Sequence, residues 1–268
     1  MRELTAGYMT YYNKEETRSD RENIQKPACR ILRNVENATA GNSGKRKGSN
    51  GVMQTDRKEA LRYLGLGKHE PDPETERLLE ECIRETEKAA DLRHLIREYP
   101  LTIEDDGTID GGCFRVKSAN LKKNLSGCDS VLVMAATVGA EVDRLLARYG
   151  KLSVAKAVVM QAAAAAMVEA YCNELNAGWK KEYLEKGLYL RPRFSPGYGD
   201  FPLSAQKEIL DGLEAGKRIG ITLTEGYLMM PSKSVTAVIG VSRTPAACTI
   251  EGCEACGKKD CAFRRCQD

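Results

Sequence analysis

The sequence predicts an α+β fold, a twisted sheet of antiparallel or mixed strands flanked by long helices. Two runs of strand length, Ser130–Thr137 and 234–241, are rich in Val and Ala and bounded by turn or polar residues. A far longer stretch, 154–183, reads as one helix with a dense alanine face at Ala162, Ala163, Ala164, Ala165 and Ala166. Strands and helices are mixed without the steady alternation of a doubly wound parallel sheet, and no internal repeat is present.

Order begins at Thr55-Asp56, which can cap a short helix over 57–64 that Gly65 stops. Asp72 followed by Pro73 is a stronger start signal, a cap and then a residue whose fixed φ suits the first helical position. Leu79, Cys82, Ile83, Thr86 and Ala90 then fall on one stripe of a long helix. Asp105-Asp106-Gly107 marks a turn between two strands. Ser118 caps a helix over 119–125, ended by Gly127. After the strand Ser130–Thr137 come Gly139 and a helix over 141–149. Gly139 is either a tight turn or a place where a ligand approaches the backbone; no G-x-G-x-x-G accompanies it, so a dinucleotide site is not supported. Beyond the alanine-rich helix lie a helix over 204–213 and strands over 220–224 and 234–241.

The 268 residues are 42% hydrophobic and 29% charged, the composition of a globular protein, with aromatics at only 6%. Ala, Leu and Val must therefore do most of the packing. Residues 1–52 carry ten Lys/Arg against six Asp/Glu, which leaves 31 and 32 for 53–268. The body is close to neutral and shows no demand for a nucleic-acid partner. Three segments are expected: a disordered N-terminal extension over 1–52, a folded domain over 53–245 and a cysteine-rich tail over 246–268. No apolar run follows Arg2 and Glu3, and 154–168 is interrupted by Lys156 and Gln161, which suits a buried helix better than a membrane span. The cytoplasm is the expected compartment.

The densest unusual stretch is Arg193-Phe194-Ser195-Pro196-Gly197-Tyr198-Gly199-Asp200-Phe201-Pro202. Two prolines and two glycines in ten residues forbid regular structure and fix a rigid loop. An arginine and a tyrosine on such a loop suit a ligand with a carboxylate and a cationic or planar part, through a two-pronged hydrogen bond and a cation–π contact. The same residues also fit a structural turn whose Tyr198 packs on the core.

This loop and a second segment resemble the two signatures of the activation domain of cobalamin-dependent methionine synthase. The family's R-P-A-P-G-Y is matched by Arg193-Phe194-Ser195-Pro196-Gly197-Tyr198. Its L-T-E-S-F-A-M-W-P-G-A-S-V is matched by Leu223-Thr224-Glu225-Gly226-Tyr227-Leu228-Met229-Met230-Pro231-Ser232-Lys233-Ser234-Val235, with seven of thirteen identical. An upstream A-E-A-F is similar to Val168-Glu169-Ala170-Tyr171. The resemblance runs well over 155–242 and loosely over 56–154.

The resemblance implies an activation-domain-like fold that binds S-adenosylmethionine and takes part in methyl transfer to cobalamin after an electron reduces cob(II)alamin. By it, Arg193, Ser195 and Gly197 hold the cofactor, and Tyr198 lines the methyl-transfer side as the catalytic candidate. Glu169 matches a family carboxylate close to the ligand; an ordinary helix-surface Glu is the other reading. Glu225 and Ser234 are read as structural, and Arg191, outside the motif, is expected to tolerate Lys. This chain lacks the family's Tyr-Tyr pair, which falls near Ala247-Cys248, and it lacks the cobalamin-binding D-x-H-x-x-G; its two histidines are His69 and His94. Cobalamin is therefore expected on a partner, a corrinoid-binding methionine synthase subunit, with a flavodoxin- or ferredoxin-type electron donor.

The tail holds Cys248, Cys253, Cys256, Cys261 and Cys266. Cys253, Cys256, Cys261 and Cys248 are candidate metal ligands, for zinc or an iron–sulfur cluster, although the intervals match no standard ferredoxin pattern. Cys29, Cys82, Cys113, Cys128 and Cys172 are scattered and read as structural. The leading expectation is a reactivation protein acting in trans on a methionine synthase. The alternatives are a non-catalytic corrinoid-protein adaptor and an electron-transfer accessory working through the cysteine tail.

Overall fold

A computed structural model describes residues 54–66 and 69–245. The expected extension over 1–52, Cys29 and the tail over 246–268, with all its cysteines, lie outside the described residues. Helix α1 (Arg57–Tyr63) is capped by Asp56, whose carboxylate accepts from the backbone N–H of Lys58 and Glu59. Helix α2 (Pro73–Ala89) has Asp72 as its cap and Pro73 in its first turn, and it buries Leu79, Cys82 and Thr86. Ser118 caps α3 (Ala119–Asn124) by accepting from the N–H of Leu121. The remaining helices are α4 (Ala140–Leu152), α5 (Val154–Glu185), α6 (Ala205–Gly212) and α7 (Ala215–Ile219).

The main sheet has four strands in the order β1 (Arg93–Pro100), β5 (Ser130–Thr137), β9 (Ser234–Ser242) and β6 (Tyr189–Leu190), every pair antiparallel. Strand β5 is apolar at almost every position because both faces of the sheet are covered. Leu132, Met134 and Ala136 face one core, with Met160, Ala163 and Met167 of α5. Val131, Val133 and Ala135 face a second core with Phe201, Ile209 and Leu213. A two-faced burial of this kind removes the alternation that usually marks an antiparallel strand.

Helix α5 spans 32 residues, about 48 Å at 1.5 Å per residue. Its length and apolar composition would also pass for a membrane span, yet half of that window is buried inside the fold. The alanines Ala162, Ala163, Ala164 and Ala166 are all buried. Small side chains there let α1, α2 and α4 approach its axis closely.

Two small sheets complete the fold. Strands β2 (Thr102–Ile103), β3 (Thr108–Asp110) and β4 (Arg115–Lys117) form a meander. Its first turn is the Asp105-Asp106-Gly107 signal, with Gly107 at φ +86. Strands β7 (Thr222–Leu223) and β8 (Met229–Met230) form a hairpin. The strand expected over 220–224 is thus shorter: Gly220, at φ +75, ends α7, a helix the periodicity does not reveal. Strand β1 also escapes sequence patterning, because Arg93, Arg97 and Glu98 interrupt its apolar side and only Leu95 is fully buried.

Candidate functional site

The segment 191–194 runs beside β9. The Arg191 N–H donates to the Gly240 carbonyl at 2.8 Å, and Phe194 and Val238 exchange two backbone bonds of 2.9 Å. Successive side chains on an extended segment point to opposite faces. Phe194 turns into the second core, where it stacks on Phe201 at 6.2 Å between ring centroids. Arg193 turns the other way, to α5.

On α5 the guanidinium meets two acceptors one helical turn apart. Nη2 of Arg193 donates to Oδ1 of Asn173 at 2.7 Å and to Oε2 of Glu169 at 3.3 Å. The Arg193 and Glu169 side chains are 18% and 30% exposed, so the pair is sheltered but reachable. Nε and Nη1 of Arg193 donate to no described oxygen, and the guanidinium also acts on the Cys172 thiol beside it. Cys172 lies between the two acceptors in sequence and is fully buried. Burial pushes its thiol up to about 12, against the lowering effect of Arg193. A thiol held protonated in this way is inert.

The segment 195–201 makes a tight turn. Tyr198 N–H donates to the Ser195 carbonyl at 3.1 Å, Gly197 N–H to Phe201 at 2.9 Å, and Phe201 N–H to Tyr198 at 3.0 Å. Gly197 and Gly199 sit at φ +90 and +57, a region L side chains avoid. A Cβ at Gly199 would also stand 2.6 Å from the Asn120 amide nitrogen. Tyr198 is 69% exposed, meeting Phe194 only edge-on at 6.5 Å, so it is not a core residue.

Asp200 fastens the far end of the turn. Its carboxylate accepts from Ser118 Oγ, from the Ala119 N–H at 2.6 Å and from the Asn120 N–H at 3.1 Å. Those groups open α3, where a helix presents unpaired donors and partial positive charge. The Ser118 hydroxyl, with the two N–H groups, holds the Asp200 carboxyl below the usual carboxylate range. Sequence reading finds Ser118 as a cap but not Asp200, which reaches it from 82 residues away.

Sequence reading also missed Asn173. Its only local signal is its place four residues after Glu169. Arg191 departs from its expected role as a bystander: it is 6% exposed, and its Nη2 donates to the Ser126 carbonyl at 3.2 Å. In the second signature, Ser234 Oγ donates to the Pro231 carbonyl at 2.7 Å, a structural bond as expected. Ser232 donates to the Asp143 carboxylate through both N–H and Oγ, each at 2.6 Å. Lys233 beside it is partly buried, and burial pushes its amine down to about 8. Cys82, Cys113, Cys128 and Cys172 are free thiols. Among the described residues no three His, Cys, Asp or Glu side chains gather as a metal site. The candidate ligands Cys248, Cys253, Cys256 and Cys261 fall outside that set.

Residues 119–260 match the family described as vitamin B12 dependent methionine synthase, activation domain. The match runs from α3 past β9 and takes in both signatures. Among solved structures, the fold resembles the crystal structure of the MetH reactivation domain bound to AdoHcy, with a TM-score of 0.51 and 17% identity over 72% of this chain and 76% of that one. No curated protein matches the chain.

Proposed function

From the premise that the chain belongs to the family of the vitamin B12-dependent methionine synthase activation domain, we propose that it binds S-adenosylmethionine and supports reductive methylation of cob(II)alamin carried by a partner corrinoid protein. The observation that carries the reading is the Arg193–Glu169 pair. An amino-acid head group bears a carboxylate and an ammonium, and the pair offers one group of opposite charge to each. The remaining N–H groups of Arg193 suit the carboxylate as charge-assisted donors, and the 30% exposed Glu169 suits the cation.

When bound, S-adenosylmethionine supplies an electrophilic methyl group on its sulfonium. The chain's own residues bind and orient. Arg193 and Glu169 hold the head group, and Ser195 and Gly197 shape the turn beside it. Tyr198 presents an exposed ring face that can attract the sulfonium by cation–π contact. The AdoHcy of the MetH reactivation domain structure is the demethylated form of this ligand and supports the same reading. The electron comes from a flavodoxin- or ferredoxin-type donor, and the cysteine tail is a candidate zinc or iron–sulfur segment.

Calorimetry with S-adenosylmethionine, with and without a corrinoid protein, tests the proposal. Saturable binding is expected, and methyl transfer to the corrinoid once a one-electron reductant is added. Association with the corrinoid protein without any binding of S-adenosylmethionine would replace this reading with the adaptor.

A further inference from the structure

We infer that Asn173 is a specificity-determining positioning residue: it orients the Arg193 guanidinium toward a ligand carboxylate without adding a negative charge to compete with it. The inference rests on the proposed function and extends it to a residue outside both signatures.

The geometry begins with the guanidinium itself. Its five N–H bonds lie in one plane, and Nη2 carries two of them. Asn173 Oδ1 takes one at 2.7 Å and Glu169 Oε2 the other at 3.3 Å. Fixing both hydrogens of Nη2 fixes the direction in which Nε and Nη1 point. The shorter bond belongs to the neutral acceptor. Asn173 and Glu169 are four residues apart on α5, so a rigid helix sets their spacing.

Charge explains why an amide serves here better than a second acid. Arg193 and Glu169 together carry no net charge. A carboxylate at 173 would orient the guanidinium equally well but leave the cluster at −1, repelling an incoming carboxylate and attracting a cation. An alanine at 173 would leave the charge unchanged but release the guanidinium from its shorter bond. The two substitutions therefore separate orientation from charge. Asn173 is exposed and Ala is the strongest helix former, so neither variant threatens folding.

The test measures binding of S-adenosylmethionine and of its decarboxylated analogue by calorimetry, on the full chain and on two variants. Asn173→Ala should weaken S-adenosylmethionine binding about three- to tenfold, since one oriented charge-assisted contact is loosened, and should leave the analogue within about twofold. Asn173→Asp should also weaken S-adenosylmethionine but tighten the more cationic analogue, inverting the preference. Equal losses for both ligands, or an unchanged ratio in both variants, would overturn the role of Asn173 while leaving the proposed function standing. A parent protein that binds neither ligand would overturn both together.

Discussion

Lys233→Met should stabilise the protein, and the gain should vanish in alkali. The position carries alanine in the family signature, so a neutral side chain there agrees with the fold. Methionine keeps the apolar stem and removes the amine. In the native state burial lowers the amine from 10.5 to about 8, opposed by Asp143, whose carboxylate is already engaged by Ser232. A lysine with a depressed native value binds fewer protons than the unfolded chain between about pH 8 and 10.5. Stability therefore rises with pH through that window, and the cost of the charge is fully present below it. The difference between those two values corresponds to a cost on the order of 3 kcal/mol at pH 7, about 2 at pH 9 and close to zero above pH 11. Thermal or urea unfolding of both proteins from pH 6 to 11 checks this. A variant that is less stable at pH 7, or a difference that does not shrink toward pH 11, would refute the reasoning, because Lys233 would then be charged and well solvated in the native state.

The other predictions concern the loop and its arginine. Arg193→Lys should weaken S-adenosylmethionine binding about ten- to a hundredfold in calorimetry, because an ammonium with three donors cannot serve Asn173, Glu169 and a ligand carboxylate in the same geometry. Arg144→Lys, 72% exposed at its side chain, is the control and should bind like the parent, whereas Arg191→Lys should lower the melting temperature through loss of its bond to the Ser126 carbonyl. Tyr198→Ala should slow methyl transfer to the corrinoid with the melting temperature nearly unchanged, since the ring is mostly exposed; matched losses would mark it as a packing residue. Asp200→Ala should cost about 1–2 kcal/mol by removing a cap of α3, and should speed chymotrypsin cleavage after Tyr198; an unchanged cleavage rate would mean that the turn holds without its tether.

Some of this architecture is written locally, and some is not. Asp56, Asp72 and Ser118 can be read as caps because the groups they bond lie two or three residues away. The length of α5 and the positions of β5 and β9 follow from runs of apolar residues that only burial can satisfy. The rigidity of the 193–201 turn follows from Pro196, Gly197 and Gly199, and the family resemblance names Arg193, Tyr198 and Glu169 as candidate site residues. Tertiary structure alone brings Arg193 onto Asn173 across 20 residues and Asp200 onto Ser118 across 82. It also decides that Arg191 is buried while Arg193 stays reachable, and that Lys233 loses its water. Those outcomes depend on which face of β9 each neighbour meets and on how closely α5 lies against the sheet. A cap or a turn is a contest among atoms a few bonds apart, so its residues announce it; a long-range pair is decided by packing, and nothing in the identity of either partner records where the other will come to rest.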